Sequence, residues 1–335
     1  MSLRVAVVQG GPSSEAAVSR VSAAAVARAL AASGHAVSLL ELDPALPAAL
    51  AGAGVEVVFP VVHGALGEDG CLQGLCELLG LPYVGSGVLA SALASDKVQA
   101  KRAFRAAGLP LAEQFVASRS DGVEVSARRA REALGGAIAV KPGSQGSAIG
   151  VTLVGPDAPP GALAEALERA FGFDEVALCE RFVRGREVTC GVTDAPALGG
   201  LRALPPTEIK AKLADFYDFA SRYAPGGSVH VCPPDLPPAV IARVQAVAVA
   251  AHQALGCRDL SRADFVVGDG DDEGAVTLLE VNTMPGMTPT SLYPEAMQKS
   301  GVSFEAMCAA FVEAARARPA RRAVPVLPMP QGPGG

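Results

Sequence analysis

Tryptophan is missing from this chain of 335 residues, aromatic side chains make up 4% of it, and only six of its 28 basic residues are lysine. Arginine is therefore the default cation, and a lysine kept inside a motif carries more information than usual. There is no excess of basic charge: the formal net charge is −6, which gives no ground for a nucleic-acid or membrane-surface partner. No apolar run reaches the ~20 residues that cross a bilayer. The opening MSLRVAVVQGG is too short an apolar stretch for a signal peptide and reads as a strand entering a glycine turn. Cysteine pairs are lacking too. Cys71, Cys76, Cys179, Cys190, Cys232, Cys257 and Cys308 are odd in number and show no CxxC spacing. That argues against a zinc site or a disulfide framework and for free thiols in a reducing cytoplasm.

What is present suffices for two or three cores, since half of the residues are apolar. Residues 4–8, RVAVV, form a strand that enters a Gly-Gly-Pro-Ser-Ser turn and then an Ala/Val helix from about 15 to 33, with Gly34 placed to end it. VSLLEL and VEVVFPVVH follow as strands with a helix between them, a βαβ pattern that implies a parallel sheet. Two helices fill roughly 88–108, and a smaller α+β unit then carries IAVKPGSQGSAIGV and VALCERFV. From Arg186 to about 318 a third unit holds short strands, a polar loop, a helix at 237–255 and strands near 261–267 and 275–281. The remaining Pro/Gly-rich stretch reads as a disordered tail. The chain shows no internal repeat.

Unusual polar residues gather near strand ends, where open α/β sheets bind ligands. In LLEVNTMPGM, residues 278–287, Glu280 and Asn282 share one face of a strand that otherwise looks like core. In SRADFVV, residues 261–267, Arg262 and Asp264 do the same. If these strands pair through the GDGDDEG turn, Asp264, Glu280 and Asn282 converge. Such a set reads either as an oxygen-rich cation site or as an Arg262–Asp264–Glu280 ion-pair network. Lys141 precedes a Gly/Ser loop in AVKPGSQGSAIG, suited to phosphate oxygens but not a Walker A loop. In CERFVRGRE, Glu180 and Glu187 flank Phe182 and Val183, either as a nucleobase edge with hydroxyl-binding carboxylates or as an ordinary surface strand. His63 leaves an apolar strand in HGALGEDGCLQG, where Glu68 and Asp69 open a helix and could serve only its dipole. Ser13 or Ser14 fits a helix cap, and Glu15 could face the dipole or a substrate ammonium.

In chain order, GGPSSE, HGALGEDGCLQG, SALASDK, VKPGSQGS, Glu180 with GRE, FYDFASRY, RAD and EVNTMPG followed by Ser291-Leu292 resemble the D-alanine–D-alanine ligases of the ATP-grasp superfamily. The likeness runs to about residue 318. It implies an α/β and α+β fold of three domains: an N-terminal parallel-sheet, pre-ATP-grasp domain (1–95), a central ATP-grasp subdomain (96–184) and a catalytic domain (185–318), with 319–335 as the tail. It implies ATP as co-substrate, two Mg²⁺ (or Mn²⁺) ions on Asp264, Glu280 and Asn282, D-alanine as substrate, a homodimer, and a cytoplasmic place in peptidoglycan precursor synthesis. By the same resemblance Glu15 holds the ammonium of the first D-alanine and His63 lies near its carboxylate. Arg262 and the N–H of Gly286 stabilise the oxyanion, and Ser291 with Leu292 binds the second D-alanine. Lys97, Lys141, Phe216 and Arg222 join Glu180, Phe182, Val183 and Glu187 around ATP. Tyr223 is expected to reach Ser147, and through it Glu15, from a lid.

Several positions depart from the family pattern. Arg222 stands where a lysine is usual, a change that keeps charge but not geometry. Asp259 replaces a small residue, Met284 a serine and Ala16 an arginine, and the GDGDDEG turn is longer than usual. Competing readings are a ligase of the same fold making D-alanyl-D-lactate or D-alanyl-D-serine, and a non-catalytic nucleotide-binding descendant. An oxidoreductase is excluded because Gly10-Gly11 does not continue as GxGxxG.

Overall fold

The computed structural model describes residues 2–211, 227–268 and 275–318, arranged about three β-sheets. Among the described residues the first sheet is parallel, in the order β2-β1-β3, with β1 at Arg4–Gln9, β2 at Ala36–Glu41 and β3 at Val57–Pro60. The run of valines in β1 is buried on both faces because helices cover both sides, as a parallel sheet requires. Helix α1 (Ala16–Ala32) ends at Gly34, whose φ of 86° supplies the left-handed turn the sequence anticipates. Its buried Ser19 is satisfied rather than stranded: the hydroxyl donates to the Val61 carbonyl at 2.5 Å and accepts the Gly10 N–H at 2.8 Å. Helices α2 (Leu46–Gly52) and α3 (Cys71–Leu79) complete this unit.

The second sheet runs β4-β7-β5-β6 and is antiparallel throughout, with β4 at Gln114–Ser118, β5 at Ile138–Pro142, β6 at Thr152–Val154 and β7 at Val176–Arg181. Helices α6 (Val123–Leu134) and α7 (Ala162–Phe171) seal it with small and branched residues such as Ala130, Ala166 and Leu167. Between the first and second units lie α4 (Val88–Ser95) and α5 (Lys97–Ala106). Asp96 caps α5, accepting from the N–H groups of Val98 and Gln99.

The third sheet has the order β11-β10-β8-β12-β13, with β9 beside β8. Its strands are β8 (Arg186–Thr193), β9 (Arg202–Ala203), β10 (Thr207–Ala211), β11 (Ser228–Val231), β12 (Leu260–Val267) and β13 (Val276–Asn282). The expected pairing of β12 with β13 is present and antiparallel. Helix α8 (Pro238–Leu255) and the Ala100–Phe104 face of α5 cover this sheet. Two further helices follow, α9 (Leu292–Lys299) and α10 (Phe304–Ala317). Helix α10 returns to the first unit, where Phe311, Val312 and Ala315 share one core with Val26 and Leu30 of α1. Fully burying a side chain such as Phe311 stabilises by about 2 kcal/mol.

Asp259 explains one departure from the family pattern. It sits at φ 62°, a left-handed conformation that glycine reaches freely and aspartate more readily than most residues, and it is 2% exposed. That carboxylate accepts the Gly85 N–H at 2.7 Å and both ends of the Arg318 guanidinium at 2.6 and 2.8 Å. Arg318 also donates to the Tyr83 carbonyl, while Arg258 stacks over the Tyr83 ring at 4.8 Å and donates to the Gly85 carbonyl. The aspartate thus fastens the first unit to the strand that carries Arg262. Met284 packs at the same joint, its methyl 3.0 Å from where a Cβ on Gly85 would stand, and this accounts for an apolar residue there. Asp259→Ala leaves Arg318 and the Gly85 N–H without their acceptor and is expected to lower stability by about 3 kcal/mol. Denaturant unfolding checks this, and an unchanged midpoint contradicts it.

Candidate active site

The β12–β13 pairing sets Arg262 opposite Asn282 and Asp264 opposite Glu280, so four polar side chains form a square on one sheet face. Within it Arg262 grips Asp264 with two hydrogen bonds, at 2.7 and 2.8 Å. Thr189 of β8 donates to the same carboxylate at 2.9 Å and the Asn282 amide at 3.2 Å. Glu280 meets the ammonium of Lys97 at 3.1 Å. The register shifts immediately after Asp264, a bulge of the kind that re-aims side chains beside a site. The ion-pair reading of the sequence is therefore realised between Arg262 and Asp264, and the convergence of Asp264, Glu280 and Asn282 is realised with it. Among the described residues no cluster of three or more His, Cys, Asp or Glu could hold a metal ion unaided. The oxygen set is nevertheless the hard-donor kind that Mg²⁺ takes when phosphates and waters complete the shell.

A second cavity lies between the second and third sheets, lined by Lys97, Lys141, Glu180, Phe182, Val183, Glu187 and Glu280. Here Glu180 is not on a surface strand: it is 2% exposed and clamped between two lysines. Lys141 meets one carboxylate oxygen at 2.6 Å and Lys101 the other at 2.7 Å. Burial opposes ionisation of Glu180, but the charges of Lys101 and Lys141 prevail and hold its carboxyl down at about 2. For Lys141 the burial penalty is likewise overcome by Glu180, which keeps it above the ordinary lysine range. Lys97 donates to the Gln145 carbonyl at 2.8 Å, bringing the Gly/Ser loop over this cavity.

A third cavity collects Glu15, His63, Ser147, Arg262, Asn282, Gly286, Ser291 and Leu292. An intervening space shares Lys97 and Glu280 with the Lys141–Glu180 cavity, and Glu15, Glu68 and Asn282 with this one, so all three form one cleft. Ser147 donates to Glu15 at 2.6 Å across the boundary between the second and first units. It does so from a strained loop in which Ser147 and Ala148 hold φ of 51° and 58°. Ser13 accepts the Glu15 N–H and donates to the His63 carbonyl, so it ties the turn rather than capping α1 as expected. Glu68 and Asp69 both precede α3. Glu68 differs from expectation and staples its own loop, accepting from Gly64 N–H, whereas Asp69 accepts from Leu66 N–H and also from the Cys71 N–H that opens α3, as an acid at a helix N-terminus does. Burial disfavours a charged His63, yet Glu68, and Glu15 behind it, raise its pKa above the usual imidazole value. Ser291 begins α9 and shares a 2.7 Å hydrogen bond with Thr288, and a Cβ on Gly286 would come within 3.0 Å of the Ser291 hydroxyl. Asp264 lines none of the three cavities. Phe216, Arg222 and Tyr223 lie outside the described residues.

Two groups went unnoticed in the sequence. Lys101 is one, although its rank among six lysines was a signal that could have found it. The other is His230 of β11, which lines the third cavity and meets Glu295 of α9 at 2.7 Å. A lone histidine after a polar loop offers no pattern to read. The Glu180 clamp has a consequence in acid. Its folded pKa near 2 lies below the ordinary 4.5, so its stabilisation is complete above about pH 4.5 and is lost as pH falls toward 2. Thermal melts should decline across that window, and Glu180→Gln should flatten the decline; a wild-type profile flat from pH 5 to 2.5 contradicts the clamp.

Comparison with known proteins identifies the family. The family model described as D-ala D-ala ligase C-terminus matches residues 103–313, and the one described as D-ala D-ala ligase N-terminus matches residues 47–86. A curated D-alanine–D-alanine ligase of Geobacter sulfurreducens is 44% identical over 303 residues, covering 90% of each chain. The crystal structure of a D-alanine–D-alanine ligase from Bacillus anthracis complexed with ATP superposes with a TM-score of 0.77 at 26% identity, covering 94% of this chain and 97% of that one. The VanG D-Ala:D-Ser ligase of Enterococcus faecalis gives 0.78 at 27% identity, covering 94% of this chain and 100% of that one. With the ligase model spanning well over half of the sequence and a curated relative this similar over nine-tenths of it, the chain belongs to the D-alanine–D-alanine ligase family.

Proposed function

We infer that the protein is an ADP-forming ligase that joins two D-alanines, using ATP, into the dipeptide of peptidoglycan precursors. The observation that carries this is the continuous cleft from the Lys141–Glu180 cavity, past Glu280 and Asn282, to Glu15, Ser147, Arg262 and Ser291. Phe182 and Val183 line the nucleobase end, with Glu180 and Glu187 as polar partners. Lys97 and Lys141 neutralise phosphate oxygens. In this reading Phe216 and Arg222 also serve ATP, and Tyr223 is a further catalytic residue. The units 1–95, 96–184 and 185–318 serve as amino-acid, nucleotide and catalytic domains.

Glu15, fixed by Ser147, holds the ammonium of the first D-alanine, and His63 stands beside its carboxylate. That carboxylate attacks the γ-phosphorus. A carboxyl-oxygen–phosphorus bond forms, the bridge to ADP breaks, and an acyl phosphate results. The amine of the second D-alanine, its carboxylate held by Ser291 and Leu292, then attacks the acyl carbon. The tetrahedral oxyanion faces Arg262 and the Gly286 N–H, and collapse releases phosphate and the dipeptide. Asp264, Glu280 and Asn282 would hold Mg²⁺ or Mn²⁺, two ions in this reading, which when bound neutralise the reacting phosphate oxygens. The carboxylates are now neutralised by Arg262 and Lys97, so a cation competes with both. No described helix is long and apolar enough to cross a membrane. The thiols are free, as a cytoplasmic setting requires, and the exposed Leu78 of α3 and Leu89 of α4 suit a homodimer.

The test is ADP release by the purified protein with Mg²⁺ and ATP, offering D-alanine, L-alanine, or D-alanine with D-serine or D-lactate, products identified by mass. D-alanyl-D-alanine formed from the D-isomer alone is expected, and Arg262→Met should lower kcat about 100-fold. A mixed product in preference to the dipeptide moves the assignment to a D-serine or D-lactate ligase. Absence of turnover with every pair refutes the ligase reading.

A further inference from the structure

Lys101 is a fully buried ammonium that the mechanism above does not use. At 1% exposure it stands among the largest sealed side chains of the molecule, beside tyrosine, phenylalanine and leucine. Burying a lysine is expensive, and burial pulls its pKa below the ordinary lysine value, so a chain keeps one there only with compensation in place. The compensation is specific. The ammonium meets the Glu180 carboxylate at 2.7 Å and donates to the Leu278 carbonyl at 3.0 Å. Glu180 belongs to the second sheet and Leu278 to the third, two residues before Glu280 on β13.

Lys101 also lies one helical turn after Lys97 on α5, so the two share a face. Lys97 reaches the cavity and Glu280, whereas Lys101 does not line the cavity and lies behind Glu180. With Lys141 on its other oxygen, Glu180 cannot turn. An ionised carboxylate fixed in a nucleobase pocket accepts hydrogen bonds from an exocyclic amine and repels a carbonyl oxygen placed there.

We propose that Lys101 is a positioning residue for the nucleotide: it holds the Glu180 carboxylate as a fixed acceptor and thereby selects an amine-bearing purine over one bearing a carbonyl. It also links that acceptor to the β13 strand carrying Glu280, so base and phosphate subsites keep one spacing. This rests on the ATP-dependent reading of the cleft.

The experiment compares full-length wild type with Lys101→Met, using ATP and inosine triphosphate as nucleotides and D-alanine as amino acid. The KM for ATP should rise roughly tenfold or more, as when a charged hydrogen-bond partner is removed from a buried group. The preference for ATP over inosine triphosphate should fall with it, while kcat and the KM for D-alanine stay within about threefold. A folded Lys101→Met with unchanged ATP KM and unchanged base preference overturns the proposal. So does a parallel loss in kcat and both KM values, the mark of a merely structural lysine. Should Lys101→Met fail to fold, the double change Lys101→Met with Glu180→Gln removes both buried charges. That variant is expected to fold and to have lost the base preference, and one that keeps it overturns the proposal. Calorimetric binding of the two nucleotides reads the same preference without turnover. A wild type that binds ATP but ligates nothing therefore fails the ligase reading alone.

Discussion

Antiparallel pairing of β12 with β13 is the constraint on which the site depends. It places Arg262, Asp264, Glu280 and Asn282 on one face of an otherwise apolar pair of strands. A slip of one residue in register would turn one strand's polar pair, Arg262 with Asp264 or Glu280 with Asn282, into the opposite layer and break the square. The apolar residues between them prevent that slip. Ala263, Phe265, Leu278 and Val281 belong to the core under α5 and α8. Hydrophobic burial on one face thus enforces the charge geometry on the other. Neither carboxylate is left uncompensated, because Arg262 and Lys97 already oppose them.

The remaining parts are brought to this face from far along the chain. Glu15 comes from the turn before α1 and Ser147 from the loop after β5, joined at 2.6 Å. Lys97 and Lys101 come from one face of α5, and the Asp259 joint with Arg318, Tyr83 and Gly85 locks the first unit against the third. The cleft is consequently walled by all three units. Polar pairs cross the unit boundaries, Glu280 with Lys97 and Ser147 with Glu15 among them. Such pairs are worth more as positional constraints than as stabilisation, since desolvation offsets most of their attraction.

Much of this was legible in the sequence because strands and glycine turns leave strong local marks. The two-residue spacing in Arg262–Asp264 and Glu280–Asn282 gave each pair a shared face, and the antiparallel pairing of their strands, a condition in the sequence, is met in the fold. The βαβ start, with Gly34 ending α1, was readable for the same reason. What stayed hidden depends on contacts between distant segments. Glu180 looked like a surface or ribose-facing carboxylate because nothing local reveals Lys101 behind it. Glu68 and Asp69 looked like helix-dipole partners, yet only Asp69 meets the first N–H of α3, and Glu68 ties the loop before it. Asp259 looked like an anomaly, and its partner Arg318 lies 59 residues away. His230 is recognisable only once β11 is laid beside α9.

The central claim is that the β12–β13 face, with phosphate oxygens, receives a divalent cation through Glu280. Electron paramagnetic resonance of Mn²⁺ titrated into the purified protein with ADP or a non-hydrolysable ATP analogue tests it most directly. Tight Mn²⁺ binding that requires the nucleotide, and that falls at least about tenfold in Glu280→Gln with the fold intact, is the predicted result. Equal binding by the wild type and Glu280→Gln would contradict the account and leave the square of Arg262, Asp264, Glu280 and Asn282 as an ion-pair network alone.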